Sequence, residues 1–483
     1  MPAISPSPPL VQDRPPLPLY VKLLYGVGEM PITVLMVLSG LFMLFFYNSV
    51  MGLPSALVGI GLSSSLVLDA LLDPLIGHLS DRTRHSLGRR HIFMLPGALI
   101  VGPSFFLLFS PPRNLGPTGL FVWLLACSMA LRAASAVYRI PYLSLGAELS
   151  RDYDDRTRTM AIRTMFGLLG TLGAAALSFL VFFPATADGS EPKLHYAGYP
   201  RMGLAFGAVM TIAGLIGTLG TWGHRTSGSR DSGRVHFFTG FGIAMRNRAF
   251  RSIWLSTTIF FLAVVLNFSM AIHYFTWYAH ISRSEILSLI QTSFYAGALG
   301  GVVLWMSLAR RTEKRTLYMM SAISSAILLF MATFLIGSGR PFGTGHPLPL
   351  IIGHVIGGIF ASAVWVVPAS MIADVADTDE LSTGLRREGI YFGIMNFGEK
   401  IAAGGALLFA GGLLNIFRKL SPGTAFGTPG HPPADTPYVG LLYGVVPAAL
   451  LVLALVLILP YGLNRGTVHE IQLKLTARRG AGE

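Results

Sequence analysis

Apolar runs of eighteen or more residues recur along almost the whole of this 483-residue chain. Each is long enough to carry a helix across the ~30 Å hydrocarbon core of a bilayer. Inside that core every backbone N–H and C=O must be bonded within the chain, which leaves only helices and closed barrels. Recurring runs of this length make the expected fold class an all-α, polytopic membrane protein. Only 12% of residues are charged, about half the share of a soluble domain, as this requires. The single cysteine, Cys127, lies in an apolar run, which excludes a disulfide framework and a cysteine-held metal cluster.

Twelve spans fit the hydropathy, centred on Tyr20–Tyr47, Ser55–Gly77, His91–Ser110, Thr118–Gly146, Arg163–Pro184, Met202–Gly223, Ile253–Ala279, Ile286–Ala309, Leu317–Ile336, Leu350–Ala373, Gly389–Phe417 and Val439–Tyr461. Residues 1–18 hold seven prolines and no apolar core, and read as a disordered tail without a secretory signal. Residues 224–251 are polar and contain six arginines. They read as a cytoplasmic linker between six-span halves at 19–223 and 252–461, with a basic cytoplasmic tail at 462–483.

The net charge of +13 would suit nucleic acid, but its distribution does not. Alternate loops and tails carry roughly 26 Lys/Arg against roughly 6 on the other set, the positive-inside pattern. We read it as topology and attraction to anionic lipid, with both termini cytoplasmic and no nucleic-acid partner. The expected setting is a plasma membrane, the inner one in a bacterium. Expected partners are membrane lipids and a small-molecule substrate, with the monomer as the working unit.

Span 2 holds the costliest residues. Asp69 and Asp73 lie one helical turn apart, on one face of an apolar helix. A charge there costs ~2.5–3.5 kcal/mol even on the lenient insertion scale, so such acids usually face a wet cavity and handle ions. The pair reads as a cation site or as a structural ion pair with Arg139, Arg163 or Lys400, and the two roles are compatible. Lys400 is too far from either end of span 11 to snorkel, which makes Asp69 or Asp73 its expected partner. Just beyond span 2, Asp81 stands among Arg82, Arg84, Arg89 and Arg90, and reads as a gate and topology anchor. Asp374, Asp377 and Glu380 at the end of span 10 are expected to pair with Arg386 and Arg387, or with the loop Arg151–Arg158, closing the cytoplasmic side. Trp365 suits stacking on a sugar ring or apolar chain, or lipid-facing packing. His273 and His354 read as packed rather than as a proton relay. No HExxH, GxSxG or metal-spaced histidine–acid cluster occurs, and no loop is large enough for a catalytic domain. An enzyme is not expected, and no cofactor beyond a coupling ion.

Short basic loops follow spans 2 and 8 (SDRTRHSLGRR and ARRTEKRT), and a basic linker joins the halves. Parallel six-span repeats of this kind are the layout of major facilitator transporters. Three segments are more specific. DALLDPLIGHLSDRTRHSLGRR, RIPYLSLGAELSRDYDDRTRTMAIR and IADVADTDELSTGLRREGIYFGIMNFGEK resemble the span 2–3, 4–5 and 10–11 signatures of the glycoside–pentoside–hexuronide:cation symporters, the melibiose permease family.

The resemblance implies twelve helices in two bundles, symport of a sugar or related solute, and cation binding by the acids that Asp69 and Asp73 match. An asparagine and a threonine that serve sodium in melibiose permeases are replaced here by Leu72 and Ala136. Sodium, a hard cation, wants several oxygens, whereas a proton needs one carboxylate, so H⁺ is favoured over Na⁺ at Asp69 and Asp73. Arg163 matches the family's sugar-binding arginine on span 5. The span 1 carboxylate falls near Thr33, with Glu29 one turn earlier, and the span 4 carboxylate is replaced by Arg139. A cationic pocket of Arg139, Arg163 and Lys400 would suit an anionic headgroup. The family includes a vertebrate lysolipid transporter, so a lysophospholipid or other amphiphile is the alternative cargo.

Overall fold

A computed structural model describes residues 17–149, 153–184, 191–224, 237–281, 283–309, 311–384, 387–420 and 437–480. Most of the Pro-rich tail, part of the linker, Arg386 and residues 150–152 lie outside them. Among the described residues twelve helices are long and apolar enough to span a bilayer. They are α1 Leu19–Val50, α2 Ser55–Arg82, α3 His91–Leu108, α4 Pro117–Gly146, α5 Arg158–Phe182, α6 Gly198–Gly220, α7 Arg248–Tyr278, α8 Ser284–Leu308, α9 Lys314–Leu335, α10 Pro347–Thr383, α11 Gly389–Phe417 and α12 Pro437–Ile458. The described residues hold no strand. The protein is a multi-pass, all-α membrane protein.

Among the described residues two further α-helices lie outside the spans. Phe237–Arg246 occupies the linker, and Arg465–Gly480 turns the expected C-terminal tail into a helix that packs on the end of α10. The start of the chain is also held. Leu17 is buried, and its N–H donates to Asp155 at 3.0 Å.

Helices α1–α6 pack among themselves, as do α7–α12, and the two sets meet along α2–α11, α5–α8 and α1–α7. Exchanging the halves maps the first of these contacts onto the second, as parallel repeats require. Lipid tails are as apolar as leucine, so close backbone approach rather than hydrophobicity holds such helices together. Glycine provides the approach between α2 and α11. A Cβ at Gly59 would lie 2.7 Å from the Leu407 carbonyl oxygen, and one at Gly411 would overlap the Ser55 carbonyl.

The two ends of the bundle differ. At the end opposite the termini, α1 and α7 both finish in a π-turn, Phe46–Val50 and Tyr274–Tyr278. There one core cluster joins both halves, with Phe42, Phe45, Tyr199, Tyr274, Trp277 and Tyr443 among its members. Phe45 lies 5.1 Å from His273 and 5.4 Å from Trp277, ring to ring. Lys193, fully buried in the loop before α6, donates to the Ile281 carbonyl at 3.0 Å and pairs with Glu191 at 2.9 Å. At the end that carries the termini and the Arg89–Arg90 loop, the core divides. One cluster there contains residues of the second half alone, and another residues of the first half alone. The bundle is sealed at its aromatic end and parts toward its basic end.

Candidate functional site

The site grows from five helices, α1, α2, α4, α5 and α11, that meet below the aromatic seal. In α2 the i, i+4 spacing puts Asp69 and Asp73 on the face packed against α11, while Val67, Leu71 and Leu75 on the other face are exposed. Lys400 of α11 reaches across. Its Nζ lies 2.8 Å from Asp69 Oδ2 and 2.5 Å from Asp73 Oδ2, and donates to the Asp69 backbone oxygen at 3.1 Å. Arg139 of α4 approaches from the other side, with Nη2 at 2.8 Å from both Asp73 oxygens. Two carboxylates and two cations therefore form one chain, Arg139–Asp73–Lys400–Asp69, that ties the first half to the second. Arg132, two turns from Arg139 toward the aromatic end, feels the charge of Asp69. Among the described residues it makes no ion pair or hydrogen bond.

A second pair flanks this chain. α1 breaks at Gly28–Glu29, between the helical segments Leu19–Val27 and Met30–Phe45. The break turns Glu29 toward α5, where Arg163 Nε lies 3.5 Å from its Oε2. Thr33, one turn on, donates its hydroxyl to the Met30 carbonyl and packs against Gly167 and Gly170 of α5. Trp365 stands 40% exposed on α10, with Ala369 exposed one turn away.

Arg139 and Lys400 take the expected ion-pair role with the aspartates, and the cationic pocket of Arg139, Arg163 and Lys400 does not form as one unit. Arg139 and Lys400 each face an aspartate, and Arg163 faces Glu29. These three cations are each neutralised by a carboxylate, because a bare cation in this setting is costly. Arg163 joins Glu29 and not the aspartates.

The basic end holds separate ion-pair clusters. Arg90 binds Asp81 at 2.6 Å, donates to Ser80 Oγ at 2.6 Å and shares Glu148 with Arg89, each at 2.8 Å. Burial disfavours the charge on Glu148, but the hydrogen bonds and charges of Arg90 and Arg89 outweigh it and hold the carboxyl below its usual value. Lys22 pairs with Asp155. In the second half the expected partners are corrected. Asp374 pairs with Lys314 at 2.6 Å, and Asp377 accepts from Gln472 at 3.2 Å. Arg387 takes Asp379 through two bonds of 2.9 Å. Glu380 sits half-buried in the last helical turn, and the expectation for Arg386 and for part of the loop Arg151–Arg158 lies outside the described residues. Each pair named here joins residues of the same half, so these contacts tether each bundle to itself.

Glu148, Asp155, Lys22, Lys314 and Asp379 were missed from sequence. A surface loop can supply any of several cations to a given acid, and only tertiary packing chooses among them. His273 and His354 are packed as expected. His273 Nε2 lies 3.5 Å from Ser49 Oγ, and His354 lies between the Leu350 carbonyl and the Tyr443 hydroxyl. Among the described residues no group of three His, Cys, Asp or Glu could hold a metal ion.

A sequence profile described as MFS/sugar transport protein matches residues 24–465. The chain belongs to this family. It is accordingly a membrane transporter of the major facilitator superfamily and not an enzyme. Two relatives are similar over most of this transporter's length. "Uncharacterized symporter sll1374" of Synechocystis sp. is 25% identical over 546 residues, covering 95% of this chain and 96% of that one. "Sodium-dependent lysophosphatidylcholine symporter 1" of Gallus gallus is 25% identical over 499 residues, covering 95% and 89%. A solved bacterial homolog of the lysosomal transporter Spinster, titled as inward-facing and occupied, shares the fold with a TM-score of 0.63 at 16% identity, covering 95% and 96%.

Proposed function

We propose that this transporter is a cation-coupled symporter that moves a sugar, glycoside or related polar or anionic solute by alternating access, with H⁺ favoured over Na⁺ as the coupling ion. The observation that carries the reading is Lys400 shared by Asp69 and Asp73, residues of opposite halves bound across the gap. A cation arriving at the aspartates competes with Lys400. Its binding frees α11 from α2 and so changes how the halves meet. Leu72 and the fully buried Ala136 supply no oxygen, which leaves sodium short of ligands. Arg163 with Glu29, and Trp365, are the groups assigned to the substrate, beside Arg139 and Thr33. The positive-inside pattern makes the basic end cytoplasmic, so the conformation is open to the cytoplasm with both termini there. One charge moving down ~150 mV yields ~3.5 kcal/mol, enough for a few-hundred-fold accumulation.

A second reading, an amphiphile such as a lysophospholipid as cargo, is favoured by the chicken relative's name and by the exposed apolar face of α10 around Trp365. A thermal-shift screen of purified protein against sugars, uronates and lysolipids, at two pH values and with and without Na⁺, separates the cargo classes. Uptake of the hit should rise as external pH falls, collapse with a protonophore and ignore replacement of Na⁺ by K⁺. Asp73→Asn should lose accumulation but keep exchange. Uptake that needs Na⁺ and ignores pH refutes the proton assignment. Full accumulation by the Asp69→Asn/Asp73→Asn double variant refutes the role of the pair.

A further inference from the structure

The residue before Lys400 is also an acid. Glu399 points about 100° round the helix from Lys400, so it cannot share the same partners. Its own face is defined by spacing. Asn396, Glu399, Ala403, Ala406 and Ala410 fall on one side of α11 at i, i+3, i+7, i+10 and i+14. Toward the aromatic end that side is sealed, with Ala406 and Ala410 both 0% exposed in the core shared by the two halves. Toward the basic end Asn396 is exposed and Glu399 half-buried. The opposite side carries Ile401 and Leu408, 46% and 47% exposed, and is the lipid side. Glu399 therefore stands on the gap between the halves, at the depth where the aromatic seal begins.

Glu399 is also without a counter-charge. The helices around it carry Asp69, Asp73, His78, Asp81 and Arg82 on α2, Arg132 and Arg139 on α4, Arg248, Arg251 and His273 on α7, and His354, Asp374, Asp377, Asp379 and Glu380 on α10. Arg246 stands on the linker helix, and Lys400 on α11 itself. Lys400 and Arg139 are committed to Asp69 and Asp73. Among the described residues no ion pair or hydrogen bond reaches Glu399. The aspartate chain sets two carboxylates against two cations. Arg132 interacts with the charge of Asp69 and no charged group acts on Glu399, so a proton is what can neutralise it.

We propose that Glu399 is a proton-binding carboxyl on the gap-facing side of α11, separate from the Asp69–Asp73 pair. This inference rests on the proton-coupled reading and assigns it a second site. In the conformation described, the gap lets Glu399 exchange a proton with the solution at the basic end. When the halves close there, its face meets the other half and loses water. The ionised carboxylate resists that closure and the neutral acid permits it, so each passage through the closed state takes one proton with it. The step is only –COO⁻ plus H⁺ giving –COOH, the proton coming from the solution in the gap.

The test is infrared titration of the full chain in liposomes, following the carboxylic acid C=O band in H₂O and D₂O from acid to mildly alkaline pH, with no substrate. The wild type should show a protonated carboxyl that titrates within this range. Glu399→Gln should lose it, Glu399→Asp should keep it at a shifted position, and Asp69→Asn and Asp73→Asn should leave it in place. A melting temperature for Glu399→Gln close to wild type shows that the loss is not misfolding. An unchanged band in Glu399→Gln overturns the proposal, and so does a band lost instead in Asp73→Asn, which would put the proton on the pair. Failure of the coupling reading looks different, because wild-type uptake would then ignore pH whichever residue carries the band.

Discussion

Replacing Lys400 by methionine tests the central chain directly. Methionine keeps the volume and loses two ion pairs of 2.8 and 2.5 Å and one bond to the Asp69 backbone oxygen. Asp73 still accepts two hydrogen bonds from Arg139. Asp69, 8% exposed at its side chain, loses its ion-pair partner, and Arg132 acts on it only through its field. Stranding one member of a buried pair costs about 3–5 kcal/mol. Asp69→Asn alone should cost less, since Lys400 keeps Asp73. In Lys400→Met/Asp69→Asn the stranded charge is gone and Asp73–Arg139 stands alone, so about 2–3 kcal/mol should return. The assay is a double-mutant cycle by thermal or denaturant unfolding in detergent, where the single variant should fall by several degrees and the double variant regain most of the loss. Losses that add within about 0.5 kcal/mol would show that Lys400 and Asp69 do not depend on each other, and would refute the chain as drawn.

Glu148→Gln should destabilise the protein by about 2–3 kcal/mol at neutral pH, because Arg89 and Arg90 lose their shared carboxylate. Its folded-state pKa is depressed below 4.5, so the stabilisation is fully present above that value and is lost as pH falls through the folded pKa. Unfolding curves of wild type and variant should therefore converge only under acid conditions, and a gap that persists there would count against the pair. Lys193→Met should leave the Ile281 carbonyl and Glu191 unpaired and loosen the aromatic seal, read as faster hydrogen exchange over residues 274–281; unchanged protection would remove Lys193 from the seal. Arg163→Lys keeps the charge but loses the planar fork, and should weaken affinity for the hit of the ligand screen more than it lowers melting temperature; unchanged affinity would take Arg163 out of the substrate site.

Much of this transporter could be read along the chain. The twelve apolar runs needed no neighbour to be recognised, because a bilayer forces each one into a helix by its own length and hydrogen bonding. The i, i+4 spacing of Asp69 and Asp73 put them on one face before any packing was known, and the isolation of Lys400 inside an apolar run announced a partner. What the chain could not decide was which charge meets which. Arg139, Arg163 and Lys400 looked like one cationic pocket. The tertiary structure instead distributes them to Asp73, Glu29 and the aspartate pair, since desolvated charges are stable only where a specific opposite charge lies within reach. The acids of α10 went to Lys314, Gln472 and Arg387, and Arg90 to Glu148, for the same reason: pairing is set by distances across helices that sequence separation does not encode. The seal at the aromatic end and the parting at the basic end also belong to the tertiary structure alone. One sequence with two halves can join at either end, and only the packing of side chains such as Phe45, Trp277 and Lys193 selects which.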